Sequence, residues 1–174
     1  MSFSGKYIIT GPPGSGKSSL IGHLADLGYR CEPEVAREVA KDIKSRKSPA
    51  FNRSVIERGR EMFWGAPADQ VSFFDRGVPD TVAYARWGGD PDADEYEEIA
   101  RMCKYDNPVF FLPYWKAIYA NDAVRDEFQS DARAIERHLF EVYRELGYTI
   151  FTLPRDSVEE RAGLILSIIS GHTD

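Results

Sequence analysis

Short runs of apolar and β-branched residues alternate along this chain with longer segments whose apolar positions recur every three to four residues. The short runs are Lys6–Thr10, Tyr29–Glu32, Val71–Phe74, Val109–Leu112 and Thr149–Leu153, each bounded by Gly, Pro or Asp. Tyr7-Ile8-Ile9-Thr10 and Val71-Ser72-Phe73-Phe74 are apolar almost throughout, as parallel strands covered on both faces are. The longer segments predict helices over Gly16–Leu27, Val35–Lys44, Val55–Trp64, Pro79–Trp87, Asp92–Tyr105, Ser130–Leu146 and Ser157–Ser170. Leu20, Leu24 and Leu27 share one face of the first, which stops at Gly28; Gly147 ends the sixth in the same way. The fifth is acidic at its start and carries Arg101 and Lys104 towards its end, which suits the helix dipole. Ser45–Asn52 reads as a polar stretch between helices. Strand–helix alternation of this kind predicts an α/β fold with helices covering a parallel sheet.

Composition narrows the class. A length of 174 residues fits one domain spanning 1–174, and 43% hydrophobic residues suffice for a core. Lys and Arg total 22 against 28 Asp and Glu, a net charge of −6, which argues against a nucleic-acid backbone as partner. Cys31 and Cys103 form neither a disulfide framework nor a paired metal motif. No signal peptide is visible at the N-terminus, and the longest apolar run, Ala162–Ile169, is too short to span a bilayer. The expectation is a soluble, cytoplasmic domain with neither membrane nor nucleic acid as partner; the oligomeric state is not written in the sequence.

The chemistry begins at Gly11-Pro12-Pro13-Gly14-Ser15-Gly16-Lys17-Ser18, a complete GxxxxGK[ST] between the first strand and the first helix, continued by Ser19. A phosphate chain needs converging backbone N–H groups at close range, and glycines let the backbone wrap around it without Cβ clashes. The helix that follows points its positive end at the anion. In this arrangement Gly11 to Ser19 bind the ATP phosphates, Lys17 reaches the β- and γ-phosphates, and the Ser18 hydroxyl coordinates Mg²⁺. No Asn-Lys-x-Asp guanine-reading motif follows, and the length suits a small kinase-like enzyme.

Two acidic segments accompany the loop. Asp75 closes the third strand, where a carboxylate beside the phosphate loop serves Mg²⁺; its bland alternative is a turn or helix-cap aspartate. Arg76 next to it is a candidate for contact with a phosphate. Glu32 and Glu34 leave the second strand, and ligands of open α/β sheets bind beyond the carboxyl ends of strands. Either glutamate is therefore a candidate base for an acceptor hydroxyl, and Glu34 alternatively favours a helix start. The aromatic pair Phe63-Trp64 reads as core rather than as a stacking platform, and the three histidines receive no role.

Glu32-Pro33-Glu34-Val35-Ala36-Arg37 and Phe73-Phe74-Asp75-Arg76-Gly77-Val78-Pro79-Asp80 resemble the Glu-Pro and Glu/Asp-Arg-Ser motifs of deoxyribonucleoside kinases, with Gly77 in place of the serine. The whole chain resembles more closely the AAA-type P-loop domain shared by the nicotinamide riboside kinase part of NadR-like proteins and many bacterial ATP-binding proteins. This likeness runs through Tyr105–Trp115 to Leu153-Pro154-Arg155-Asp156 and on to Arg161. It implies a P-loop three-layer sandwich with a five-stranded parallel sheet in the order 2-3-1-4-5. It also implies a lid after the fourth strand, on which Arg125 is the candidate phosphate-neutralising arginine. In that order Glu32, Glu34, Arg37, Arg76 and Asp80 border one cleft, the acceptor side, with Glu34, Arg37, Arg76 and Asp80 as substrate contacts. The resulting expectation is a small-molecule, nucleoside-like kinase using Mg²⁺ and ATP. Its rival is a nucleotide-binding regulator or slow NTPase without an acceptor.

Overall fold

A computed structural model describes residues 4–43, 48–115 and 125–171, the last segment with side chains from residue 131 onward. Five strands, β1 (Gly5–Thr10), β2 (Arg30–Glu32), β3 (Val71–Asp75), β4 (Val109–Phe111) and β5 (Ile150–Thr152), form one sheet in the order β2-β3-β1-β4-β5. Every pairing is parallel, with Tyr7 opposite Phe73, Ile9 opposite Phe110 and Cys31 opposite Phe73. The seven helices among the described residues are α1 (Lys17–Asp26), α2 (Val35–Asp42), α3 (Pro49–Gly65), α4 (Val78–Gly88), α5 (Ala93–Met102), α6 (Arg125–Glu145) and α7 (Val158–Gly171).

Side chains of successive strand residues point to opposite faces, so the apolar runs feed two separate cores. Ile8, Phe74 and Phe111 pack with Ile56 of α3, Val82 of α4, Tyr96 of α5 and Leu139 of α6. Tyr7, Ile9, Phe73 and Phe110 pack on the other face against Leu20 and Leu24 of α1 and Ile165 of α7. Helix, sheet and helix make three layers, as the strand–helix alternation predicts. The central position of β1 puts the loop that follows it at the reversal of strand order, where open α/β sheets bind ligands. None of the helices among the described residues is long and apolar enough to cross a membrane.

One helix differs from the sequence reading in a way that matters for the site. α3 begins at Pro49, six residues before Val55, so the end of the supposed polar stretch is helical. The Ser48 hydroxyl accepts the Phe51 N–H at 3.2 Å, and Pro49 occupies the first turn. A capping serine followed by proline at the first helical position is a start signal that outweighs the polar character of the segment. The extra turns bury Phe51 and Asn52. At the other end of this helix Phe63 is core, whereas Trp64 is 64% exposed.

Candidate functional site

The loop after β1 takes its shape from glycines in backbone conformations that other residues rarely adopt. Gly11 has φ 149°, and a Cβ there would lie 2.2 Å from the carbonyl oxygen of Leu112. Gly11→Ala is therefore expected to destabilise the fold by roughly 1–3 kcal/mol from backbone strain alone and to weaken nucleotide binding. A thermal melt and an ATP titration check both effects; an unchanged melt with unchanged affinity would contradict the geometry. Gly14 and Gly16 also have positive φ, 78° and 84°. Within this wrap the Lys17 Nζ donates to the carbonyl oxygens of Gly11 at 2.9 Å and Pro12 at 3.2 Å, and to Ser15 Oγ at 3.3 Å. Burial, aided by the nearby Arg76 guanidinium, lowers the Lys17 pKa to about 7 against the opposing pull of Asp75, Glu34 and Asp80. Such an ammonium is short of counter-charge, and a phosphate supplies it.

Beside the loop, β3 delivers Asp75 and then Arg76. Asp75 is buried, and its Oδ1 has no hydrogen-bond partner among the described residues. Burial first, and the Glu34 carboxylate second, push its pKa up. Arg76 follows with φ 71°, a left-handed conformation uncommon for a long side chain. Its strained backbone turns the side chain into the cleft: Nε donates to Glu34 Oε1 at 3.1 Å and one terminal nitrogen to the Gly11 carbonyl at 3.1 Å. The guanidinium lies over the Tyr84 ring, 5.3 Å from its centroid. Burial alone would lower the Arg76 pKa, but Tyr84, Glu34, Asp80 and Asp75 hold it above its ordinary value.

Glu34 sits at the start of α2 and joins this cluster. Its second oxygen accepts from Arg37 Nε at 2.8 Å, and Arg37 in turn donates to Ser18 Oγ at 2.9 Å. Burial would raise the Glu34 pKa; Arg76, Lys17 and Arg37 together hold it below the usual carboxylate value. Glu34 is thus an ionised acceptor held by two arginines, both of which also bond the phosphate loop.

Asp80 lies deeper, in the first turn of α4, and is 2% exposed. Its Oδ1 accepts from the Thr10 hydroxyl and from Arg76 at 3.5 Å; its Oδ2 accepts from the Gly77 N–H at 2.8 Å and from the Tyr143 hydroxyl of α6. One carboxylate therefore ties the end of β1, the Arg76 turn, α4 and α6 together. Although it borders the cleft, both its oxygens are taken by the protein. The glycine at 77, which departs from the deoxyribonucleoside kinase pattern, has a local cause: a Cβ there would lie 2.3 Å from Cδ1 of the fully buried Ile8.

Between α2, α3, the end of β3 and α4 lies a cavity of about 180 Å³. Glu34, Asp75, Arg76 and Pro13 border it on the phosphate-loop side, and Phe51, Asn52, Val55, Met62, Tyr84 and Tyr105 are among its remaining walls. A carboxylate pair and an arginine on one side and an apolar, aromatic enclosure on the other suit a ligand with a polar reactive end and a flat body.

An AAA domain family matches residues 6–161 of this sequence. The chain belongs to that family. No curated protein matches the sequence. Among solved structures, this AAA domain superposes on the NadR protein in complex with NR with a TM-score of 0.74 at 16% identity, covering 98% of this chain and 51% of that one. The domain thus spans about half the length of the NadR chain. Thymidylate kinase from Ehrlichia chaffeensis gives a TM-score of 0.65 at 16% identity, covering 95% of this chain and 99% of that chain. Deoxyadenosine kinase from M. mycoides with dCMP and dCDP gives 0.63 at 17%, covering 95% and 98%. The match and the architecture agree: this is a P-loop nucleotide-binding domain with the kinase fold.

Against the expectations, the AAA domain gathers Lys17, Glu34, Asp75, Arg76 and Asp80 around one cleft, with Arg37 at its rim. Glu32 is not with them. It ends β2 paired to Arg30 Nε and is not among the described residues that wall the cavity. The backbone of Arg125 starts α6; its side chain, like residues 116–124, lies outside the described residues. Sequence reasoning missed Phe51, Asn52 and Val55, for which the Ser48-Pro49 helix start was the available signal. It also missed Tyr84 and Tyr105, whose distance in sequence from the loop gave none. Among the described residues no three His, Cys, Asp or Glu side chains cluster to hold a metal. The unpartnered Asp75 Oδ1 and the Ser18 hydroxyl are the two protein oxygens suited to a cation that takes its other ligands from phosphates and water.

Proposed function

We propose that this domain is a small-molecule kinase that transfers the γ-phosphoryl group of ATP to a hydroxyl of a nucleoside-like acceptor bound in the cavity. The observation that carries this reading is Glu34. It comes from a segment separate from the phosphate loop, borders the cavity, and is held by an arginine that also bonds the first residue of the loop. A cavity beside a γ-phosphate position gives an acceptor a place to bind; a switch or slow NTPase needs none. The structures of related fold support a ring-bearing acceptor, since NadR was solved with NR and deoxyadenosine kinase with dCMP.

In this mechanism the residues of the loop Gly11–Ser19 wrap the phosphates with their N–H groups, and Lys17 exchanges its loop carbonyls for phosphate oxygens. Arg37 releases the Ser18 hydroxyl, which with Asp75 would hold Mg²⁺; when bound, the ion neutralises charge on the β- and γ-phosphates. Glu34 accepts the proton of the acceptor hydroxyl as that oxygen bonds to the γ-phosphorus, while the bond to the β-phosphate oxygen breaks and ADP leaves. Arg76 turns from Glu34 to the transferring group, and Arg125 is the further candidate to neutralise its charge. The single domain over 1–174 contains every one of these groups.

Glu34→Gln tests the reading. It is expected to reduce phosphoryl transfer to a nucleoside panel by about 10²-fold or more while ATP affinity, measured by calorimetry, stays within about twofold. If acceptor-free ATP hydrolysis is the only activity and Glu34→Gln leaves it untouched, the domain is a nucleotide-binding regulator or slow NTPase instead.

A further inference from the structure

The α3 wall of the cavity holds a buried carboxamide whose orientation is fixed from behind. Asn52 is 4% exposed, and its Nδ2 donates to Asp90 Oδ2 at 2.8 Å. Asp90, just after α4, is 8% exposed, and its Oδ1 accepts the Asp92 N–H at 3.0 Å. A carboxylate only accepts hydrogen bonds, so Asn52 must offer Asp90 its amino end. The carbonyl oxygen at the other end of the carboxamide is turned away from Asp90. Asn52 walls the cavity and Asp90 does not, so the cavity is the side on which that oxygen, with no hydrogen bond from a described residue, can meet a donor. A buried acceptor is satisfied by a donor, and the neighbouring walls Phe51, Val55, Met62 and Tyr105 are mostly apolar. The space available, about 180 Å³, is comparable with the ~150 Å³ engineered cavity that takes benzene.

We infer that Asn52, held by Asp90, is a specificity-determining residue: its Oδ1 accepts a hydrogen bond from an N–H or O–H group carried on the ring of the bound molecule. The cavity accordingly prefers rings bearing a donor over rings of equal size without one. That such a molecule is also the phosphoryl acceptor rests on the kinase reading above; the binding preference does not.

Three ring alcohols of similar size separate the possibilities: meta-aminobenzyl alcohol carries a donor, meta-methylbenzyl alcohol has neither donor nor acceptor on its substituent, and meta-acetylbenzyl alcohol carries only an acceptor. Their dissociation constants are measured on the full chain by NMR titration without nucleotide. The amine is expected to bind about tenfold tighter than its methyl counterpart, and Asn52→Leu to remove that difference. Asp90→Asn gives the sharper result. The Asp92 N–H still holds the oxygen of residue 90, so the new amide nitrogen faces Asn52 and requires its oxygen. Asn52 must then turn its amino group to the cavity, and the acetyl compound is expected to overtake the amine. A merely structural Asn52–Asp90 pair would change the melting temperature without reversing this order. No measurable binding of the amine, equal affinities for all three alcohols, or an unchanged order in natively melting Asp90→Asn overturns the inference. Should Asp90→Asn fail to fold, Asn52→Leu decides: a surviving preference for the amine overturns it. The same alcohols incubated with ATP and Mg²⁺ separate the two readings. Unequal affinities with transfer neither to these alcohols nor to the nucleoside panel remove the kinase and keep Asn52; transfer with equal affinities for all three alcohols removes Asn52 and keeps the kinase.

Discussion

Lys17→Ala is expected to reduce ATP affinity by at least about tenfold and to abolish turnover, because it removes the one cation positioned by the loop itself at the β- and γ-phosphates. Calorimetric titration with Mg²⁺-ATP reads the first effect, and unchanged affinity together with unchanged turnover would show that the loop does not bind a triphosphate. The wild-type titration carries a second signature. Lys17 has a pKa of about 7, lowered chiefly by burial, so above pH 7 the free site holds it largely neutral. A phosphate favours the charged form and raises that pKa, so binding takes up a proton and affinity falls as pH rises above 7. Titrations at pH 8 in buffers of different ionisation enthalpy should show uptake approaching one proton, absent in Lys17→Ala. For stability the sign runs the other way. A lysine whose folded pKa lies below its unfolded one penalises the fold at low pH, and the penalty disappears as pH rises from about 7 towards 10.5.

The largest effect on stability belongs to Asp80. Asp80→Ala leaves the Thr10 and Tyr143 hydroxyls, the Gly77 N–H and the Arg76 guanidinium short of their acceptor, the two hydroxyls in buried and the other two in part-buried surroundings. Breaking one side of a buried charged network of this kind destabilises by about 3–5 kcal/mol, and urea unfolding should show a loss of that size. Asp80→Asn should recover little. Each oxygen serves two donors, so an amide nitrogen faces donors whichever way it turns. If Asp80→Asn unfolds at the wild-type urea midpoint, the four bonds do not support the fold as described. Either change should also weaken ATP binding, since Thr10 leads directly into the phosphate loop.

Much of the fold was legible because its signals are local. Five short β-rich runs sit where the strands form, and Gly28 and Gly147 end their helices with positive φ, 91° and 83°. The phosphate loop was legible for the same reason: eight consecutive residues carry its whole chemistry. The strand order came from resemblance and not from periodicity, because periodicity says which residues form strands and nothing about which strands are neighbours. The start of α3 was misread because polar content was given more weight than the Ser48-Pro49 cap, and the cavity wall at Phe51 and Asn52 was lost with it.

The sequence by itself determined that a parallel sheet carries a phosphate-loop motif and which charged residues were available near it. Only the tertiary structure showed which of Glu32 and Glu34 borders the cavity. The two differ by two positions, but the strand ends between them: Glu32 remains in β2 beside Arg30, while Glu34 caps the start of α2 and turns into the cleft towards Arg76. Only the tertiary structure showed Asp80 buried, because two of its four donors, Thr10 and Tyr143, come from distant parts of the chain. Local pattern fixes backbone conformation through sterics and hydrogen bonding, but whether a charge faces a ligand or the core depends on partners brought together by packing, and those partners are not neighbours in sequence.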